Sequence, residues 1–180
     1  MRELNWRRML PYAGVPLLEA VLWWLRRGGD PAETLLHGAL LALGYLAAIG
    51  DLREKRIPNR LVATMLGVWI LILVPQLFLR TEHGLWLLVN GLVGFLLAGV
   101  LFLVVYLVSR GGLGGGDVKF MAVSGLYLGV DVLPTMLYGS VLSAAAGLCL
   151  LLAKKLGRRD TIPLAPFLYA GMLAVIFTHA

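Results

Sequence analysis

The sequence predicts an all-α fold, a polytopic bundle of about six to seven helices that cross a membrane. Of the 180 residues, 59% are hydrophobic and 14% are charged, whereas an ordinary soluble domain has roughly 45–50% and 25%. Apolar stretches recur along the chain, and many have the length of about 20 residues that a spanning helix needs. We therefore expect a single integral membrane domain over residues 1–180.

Seven apolar stretches are candidates for these helices. The first follows a basic N-terminus, lacks a small-residue cleavage site and ends in Arg26 and Arg27, so it is predicted to be a retained helix rather than a signal peptide. The stretch 119–130 is short, because 12 residues reach only about 18 Å at about 1.5 Å per residue. The candidates are 9–25, 34–50, 61–79, 85–108, 119–130, 132–153 and 162–178.

The Lys and Arg residues between these stretches predict the orientation. They concentrate in 51–60 and 154–160, whereas the turn 80–84 has only Arg80. Because cytoplasmic loops carry the excess of Lys and Arg, the first two segments are predicted to be cytoplasmic and the turn external. Counting the spans then puts 109–119 on the same side as 51–60. The net charge of +6 is thereby explained by topology, and no nucleic-acid partner is expected.

Asp51 is one of two acids that this topology brings to the same membrane surface. It ends an apolar stretch, and four basic residues lie within the nine positions after it, where Pro58 and Asn59 precede the next stretch. A purely structural interpretation is available, in which Asp51 balances these charges, Pro58 starts a helix and Asn59 helps to cap it.

Asp117 is the second acid, and it ends a Gly-x-Gly-Asp arrangement with Gly114 and Gly116. A flexible loop between helices would explain the glycines. Alternatively, glycines let two backbones approach closely and leave room for an extended peptide beside the acid.

Two facing carboxyl groups can carry out hydrolysis. Two negative charges so close together repel each other, so ionising both groups is unfavourable. One group therefore keeps a proton while the other stays charged. Such a pair can hold a water, take its proton and protonate the leaving group of an amide. No metal or cofactor is expected, because the histidines form no HxxxH or HExxH pattern and Cys149 is the single cysteine. Lys119 is either a membrane-surface anchor or a charge that keeps one acid ionised.

Three motifs together resemble the signatures of the type IV prepilin and preflagellin peptidase family, which are Gly-x-Gly-Asp membrane aspartic proteases. They are "DLREKRIPN", "GGGDVKF" and "DTIPLAPFLYAG", they occur in the family's order, and the resemblance covers about residues 34–178. The resemblance implies a catalytic pair, Asp51 and Asp117. It also implies a site shaped by Ile57, Pro58, Asn59, Gly114, Gly116 and Lys119.

The family's activity implies the substrate and the location. We expect an endopeptidase that removes the basic leader of type IV prepilin-like precursors at the cytoplasmic face of a prokaryotic plasma membrane. The expected partners are these precursors, the lipid bilayer, and the pilus or secretion assembly machinery.

Two departures from the family pattern qualify this expectation. Many bacterial members carry a zinc site with two CxxC pairs between the first two spans and also methylate the new N-terminus. Here only eight residues, 26–33, separate those spans, so we expect a short form without methyltransferase activity, in which residues 1–33 add one helix and a short loop. Ala165 stands where the family commonly has glycine, a change expected to be tolerated.

Two other function classes fit parts of the pattern. A presenilin-like intramembrane protease also uses a Gly-x-Gly-Asp aspartate, and "PLAP" at 163–166 loosely resembles its Pro-Ala-Leu element, although the order differs. A small ion or proton transporter would place acids near the bilayer midplane and show internal repeats. Whether Asp51 and Asp117 lie close together at one face of the membrane discriminates between the transporter and the peptidase.

Overall fold

The computed structural model describes residues 30–109, 112–154 and 162–178. Within these ranges the chain is helical and contains no strand, so the predicted all-α bundle is confirmed. The predicted helix over 9–25 lies outside the described residues. The helices are α1 Pro31–Glu54, α2 Asn59–Leu79, α3 Thr81–Val108, α4 Gly115–Leu128, α5 Val132–Leu152 and α6 Ala165–Thr178, with a 3₁₀ turn Gly129–Asp131 between α4 and α5.

The outer surface of the bundle is apolar. Four helical stretches among the described residues are long and apolar enough to cross a membrane: Pro31–Glu54, Asn59–Leu79, Thr81–Val108 and the continuous stretch Gly115–Leu152. Large side chains such as Leu71, Phe78 and Leu107 are 73%, 84% and 65% exposed. Lipid tails match such side chains, and helices satisfy their own backbone hydrogen bonds. The chain is therefore a multi-pass membrane protein.

Helix α4 lies in the interior of the bundle. Every residue from Phe120 to Leu128 is buried, and a helix that is buried all round is enclosed by its neighbours. Its 14 residues reach about 21 Å, which is less than a full crossing. The predicted apolar stretch 119–130 began too late, because the helix already starts at Gly115 and includes Asp117 in its first turn.

Helix α6 begins later than the predicted stretch 162–178. Residues 162–164 are not helical, and the helix starts at Ala165, between Pro163 and Pro166. Proline is tolerated in the first turn of a helix, because the N–H that it lacks would have no partner there, so Pro166 suits the start of α6. The helix packs against α1 and α5, and Leu168 and Met172 on it are fully buried. This packing brings the start of α6 to the end of α1.

Candidate active site

A cavity of about 390 Å³ lies where the end of α1 meets the starts of α2 and α4. Both acids singled out in the sequence line it, together with glycines of the second motif and residues that connect α1 to α2. The lining residues are Asp51, Lys55, Arg56, Ile57, Asn59, Gly114, Gly115, Gly116 and Asp117. The structure thus brings together parts of the first two motifs at one end of the bundle.

Asp51 is held by the third motif. Its side chain is buried, with 6% exposed, and its Oδ2 accepts a hydrogen bond from the Ala165 backbone N–H at 2.9 Å. The first N–H groups of a helix have no partner within that helix. Asp51 satisfies one of them at the start of α6, where the helix dipole favours negative charge.

Asp117 folds back on the start of its own helix. The residue is half-buried, and its Oδ2 accepts a hydrogen bond from the Gly114 N–H at 3.2 Å. A Cβ on Gly114 would lie 2.9 Å from that oxygen, so a glycine here gives the carboxyl room to cap the helix. Asp51 lines the same cavity, so the two acids share one polar site.

Ile57 and Gly116 form the contact between the α1–α2 connection and α4. Ile57 is 8% exposed, and a Cβ on Gly116 would lie 3.4 Å from its Cβ. Because of this close approach, the first turn of α4 packs against the apolar side chain of Ile57. Pro58 precedes α2 in an extended conformation with φ −68°, which suits the start of a helix.

Lys119 and Asn59 join α4 to α2. The Lys119 Nζ donates to Asn59 Oδ1 at 3.2 Å. Among the described residues, no side-chain hydrogen bond caps the start of α2, so the capping role that the sequence suggested for Asn59 is not observed. The amide instead holds the lysine two residues after Asp117.

Ala165 is the site residue that the sequence analysis did not identify. Its replacement of the family's usual glycine was expected to be tolerated, whereas its N–H donates directly to Asp51. A helix start flanked by Pro163 and Pro166 is the signal that could have located an unpaired N–H at this position.

Asp131 lies at the opposite end of the bundle. It lines a separate cavity of about 170 Å³ with Glu33, His37 and Asn90. His37 and Asp51 are 14 residues apart on α1, which corresponds to about 21 Å along the helix. The two cavities are therefore distinct.

Comparison with known proteins places the chain in a family. The model of the type IV leader peptidase family matches residues 38–178. A Bacillus subtilis (strain 168) protein named prepilin leader peptidase/N-methyltransferase is 34% identical over 149 residues, which are 82% of this chain and 57% of that protein. Proteins of the same name from Stutzerimonas stutzeri and Pseudomonas putida are 33% and 30% identical over 81% and 98% of this chain, and over 49% and 60% of their own lengths.

The chain thus spans about half the length of these relatives, from 49% to 60%. No solved structure matches it. The family model covers all three sequence motifs and most of the described helices, which confirms the resemblance that the motifs indicated. The chain belongs to the type IV leader peptidase family.

Proposed function

We propose that the protein is an aspartic endopeptidase that removes the basic leader peptide from type IV prepilin-like precursors, with Asp51 and Asp117 as its catalytic residues. The observation that carries the proposal is that both carboxyl groups line one cavity of about 390 Å³ at the end of the bundle. Family membership supports leader peptide cleavage as the reaction, and the names of the relatives supply the prepilin substrate.

The cavity can accept a peptide. Its volume of about 390 Å³ falls within the range of about 300–1,000 Å³ that is usual for ligand sites. Gly114 and Gly115 on its rim are exposed, and no atom of the described residues lies within 4 Å of where a Cβ on Gly115 would be. An extended substrate backbone can therefore pass over the start of α4 without meeting side chains.

The carboxyl pair provides the chemistry. With one proton shared between the two acids, the charged member takes a proton from a bound water and the protonated member donates to the peptide. The carboxyl side chains supply both steps of general acid–base catalysis.

The surrounding charge supports a cytoplasmic location. Lys55 and Arg56 line the cavity, and Arg53 and Arg60 are exposed in the same region. Such a concentration of positive charge is typical of cytoplasmic segments. We propose that the precursor's apolar segment stays in the bilayer while its leader reaches the catalytic pair from the cytoplasm. The trimmed product would then pass to pilus or secretion assembly machinery.

We propose that this chain does not methylate the product, although its relatives are named as peptidase and N-methyltransferase. The family resemblance places a cysteine-rich zinc region between the first two predicted spans. Only eight residues, 26–33, separate those predicted spans, and the last three of them lie in α1. Cys149 is the one cysteine of the sequence.

The position of the acids favours a leader peptidase over the other classes. Asp51 lies three residues before the end of α1 at Glu54, and Asp117 lies two residues after the start of α4 at Gly115. A midplane ion carrier would place its acids in the middle of the spans. A cut at the membrane surface also suits a precursor whose leader is outside the bilayer.

Co-expression with a type IV prepilin-like precursor from the same genome tests the proposal. We expect the leader to be removed after its final glycine, and mass spectrometry of the product to find an unmethylated N-terminus. The Asp51→Asn/Asp117→Asn double variant controls for other peptidases of the host. An untrimmed precursor beside folded wild-type protein would exclude the peptidase assignment, whereas a methylated product would exclude only the claim about methylation.

A further inference from the structure

We propose that Ala165 is a positioning residue whose backbone N–H keeps Asp51 as the ionised member of the catalytic pair and thereby leaves Asp117 as the protonated member. The proposal rests on the proposed peptidase function. It assigns a separate role to each acid, and it gives the third sequence motif a part in the reaction.

Both carboxyl groups accept an N–H at a helix start, but the two hydrogen bonds differ. The Ala165 donor is fully buried, and its bond to Asp51 is 2.9 Å long. The Gly114 donor is exposed, and its bond to Asp117 is 3.2 Å long. A hydrogen bond is stronger in a buried, low-dielectric place, and a charged acceptor strengthens it further. Water competes for the exposed Gly114 donor. The hydrogen bond therefore stabilises a charged carboxylate more at Asp51 than at Asp117.

The packing of α6 holds the Ala165 N–H in place. A Cβ on Gly171 would lie 2.5 Å from the Thr135 carbonyl oxygen of α5, so α5 and α6 are in backbone contact there. On the α1 side, the rings of Tyr169 and Tyr45 are 6.0 Å apart between centroids. The donor thus belongs to a helix that is fixed against its neighbours on both sides, which preorganises it for a charged acceptor.

The cavity also contains positive charge. Lys55 and Arg56 line the cavity together with both carboxyl groups, and Lys119 donates to Asn59. These exposed cations favour a negative charge somewhere in the cavity. Repulsion between Asp51 and Asp117 favours a state in which only one of the two is charged. The buried N–H then decides that Asp51 carries it.

The assignment defines the proton path. The Asp51 carboxylate takes a proton from water as the water oxygen bonds to the peptide carbonyl carbon, and Asp117 gives its proton to the carbonyl oxygen. In the second step the carbon–nitrogen bond breaks, the leaving nitrogen takes the proton from Asp51, and one hydroxyl of the intermediate returns a proton to Asp117. A carboxylic acid and an amine leave, and the pair regains its starting state.

Removal of the N–H by Ala165→Pro tests the assignment. Proline lacks the N–H but suits the first position of a helix. Without the donor, the charged form of Asp51 loses this hydrogen bond, so the acid limb of the kcat/KM profile should move up by about one to two pH units, since a hydrogen bond to a charged group is worth about 10- to 100-fold. Ala165→Gly and Ala165→Val keep the N–H and should leave the acid limb in place. An unmoved acid limb in Ala165→Pro, or an equal shift in Ala165→Val, would overturn the proposal.

Chemical labelling of the wild type tests the same assignment without a substitution. An ionised carboxylate opens an epoxide to form an ester, and solvent protonates the released oxygen. A diazoacetyl ester takes the proton of a carboxylic acid, loses N₂ and esterifies it. We expect peptide mapping to find a nitrophenyl glycidyl ether on Asp51 and a diazoacetyl norleucine ester on Asp117. The reverse pattern, or no preference, would contradict the assignment, and this result does not depend on whether prepilin is the substrate.

Discussion

Gly94 on α3 and Gly125 on α4 bring the backbones of the two helices into contact. A Cβ atom on either glycine would collide with the carbonyl oxygen of the other. Small residues at a crossing let membrane helices pack this closely. The crossing holds α4 in the centre of the bundle, and α4 carries Asp117 in its first turn.

We predict that Gly125→Ala destabilises the protein by about 1–3 kcal/mol, the usual cost of overpacking. The added methyl group must push against backbone, which cannot move as a side chain can. Thermal unfolding in detergent measures the effect. The matched control is Gly67→Ala on α2, where no atom of the described residues lies within 4 Å of the new Cβ; equal melting temperatures for the two variants would contradict the prediction.

Substitution of the proposed catalytic pair, Asp51 and Asp117, should show non-additive losses. Asp51→Asn and Asp117→Asn are each expected to lower kcat/KM by about 10²–10⁴-fold, the contribution of general acid–base catalysis, and the double variant should be no worse than either single one. An amide is similar in size to a carboxyl group but cannot exchange the proton, so losing either member disables the pair. Purified variants assayed on a precursor in liposomes measure this.

Asp131→Asn is the control for the catalytic pair, because Asp131 lines the cavity at the opposite end of the bundle. We expect its cleavage rate to be nearly that of the wild type. Substantial cleavage by either Asp51→Asn or Asp117→Asn would refute the catalytic assignment.

Because Lys119 and Asn59 share a hydrogen bond, substitutions at the two residues should have non-additive effects on the cleavage rate. We expect Lys119→Ala and Asn59→Ala each to lower kcat/KM by about 2- to 5-fold, as befits an exposed hydrogen bond worth about 0.5–1 kcal/mol. The double variant should resemble the single ones, since the same bond is lost in all three. Arg60→Ala removes an exposed charge nearby and serves as the control; independent, multiplying effects of Lys119 and Asn59 would show that the bond has no role.

The orientation in the membrane can be measured with single cysteines. Glu54 and Glu82 are both exposed and lie near opposite ends of the bundle, at the end of α1 and the start of α3. In a background with the exposed Cys149 replaced by serine, an impermeant thiol reagent added outside cells should label Glu82→Cys and leave Glu54→Cys unlabelled. The opposite labelling would place the proposed catalytic cavity outside the cell, where it could not reach precursors in the cytoplasm.

Among the described residues, the sequence alone determined where the apolar helices lie to within a few residues, and which polar residues stand at their ends. The helix positions follow from apolar length, which depends on composition. The placement of Asp51 and Asp117 at one end of the bundle was predicted by counting spans, and the shared cavity agrees with that count. The start of α4 was missed, because glycine disfavours helices, whereas Asp117 caps this helix by accepting from Gly114.

Only the tertiary structure decided which helix faces meet. Lipid and protein interior are both apolar, so a membrane helix carries no polar stripe that marks its exposed side. The burial of α4 from Phe120 to Leu128 could not be distinguished in the sequence from the lipid exposure of residues such as Leu107. The hydrogen bond from Ala165 to Asp51 joins residues 114 positions apart. It exists because α6 packs against α1, and no local pattern in either helix specifies that packing.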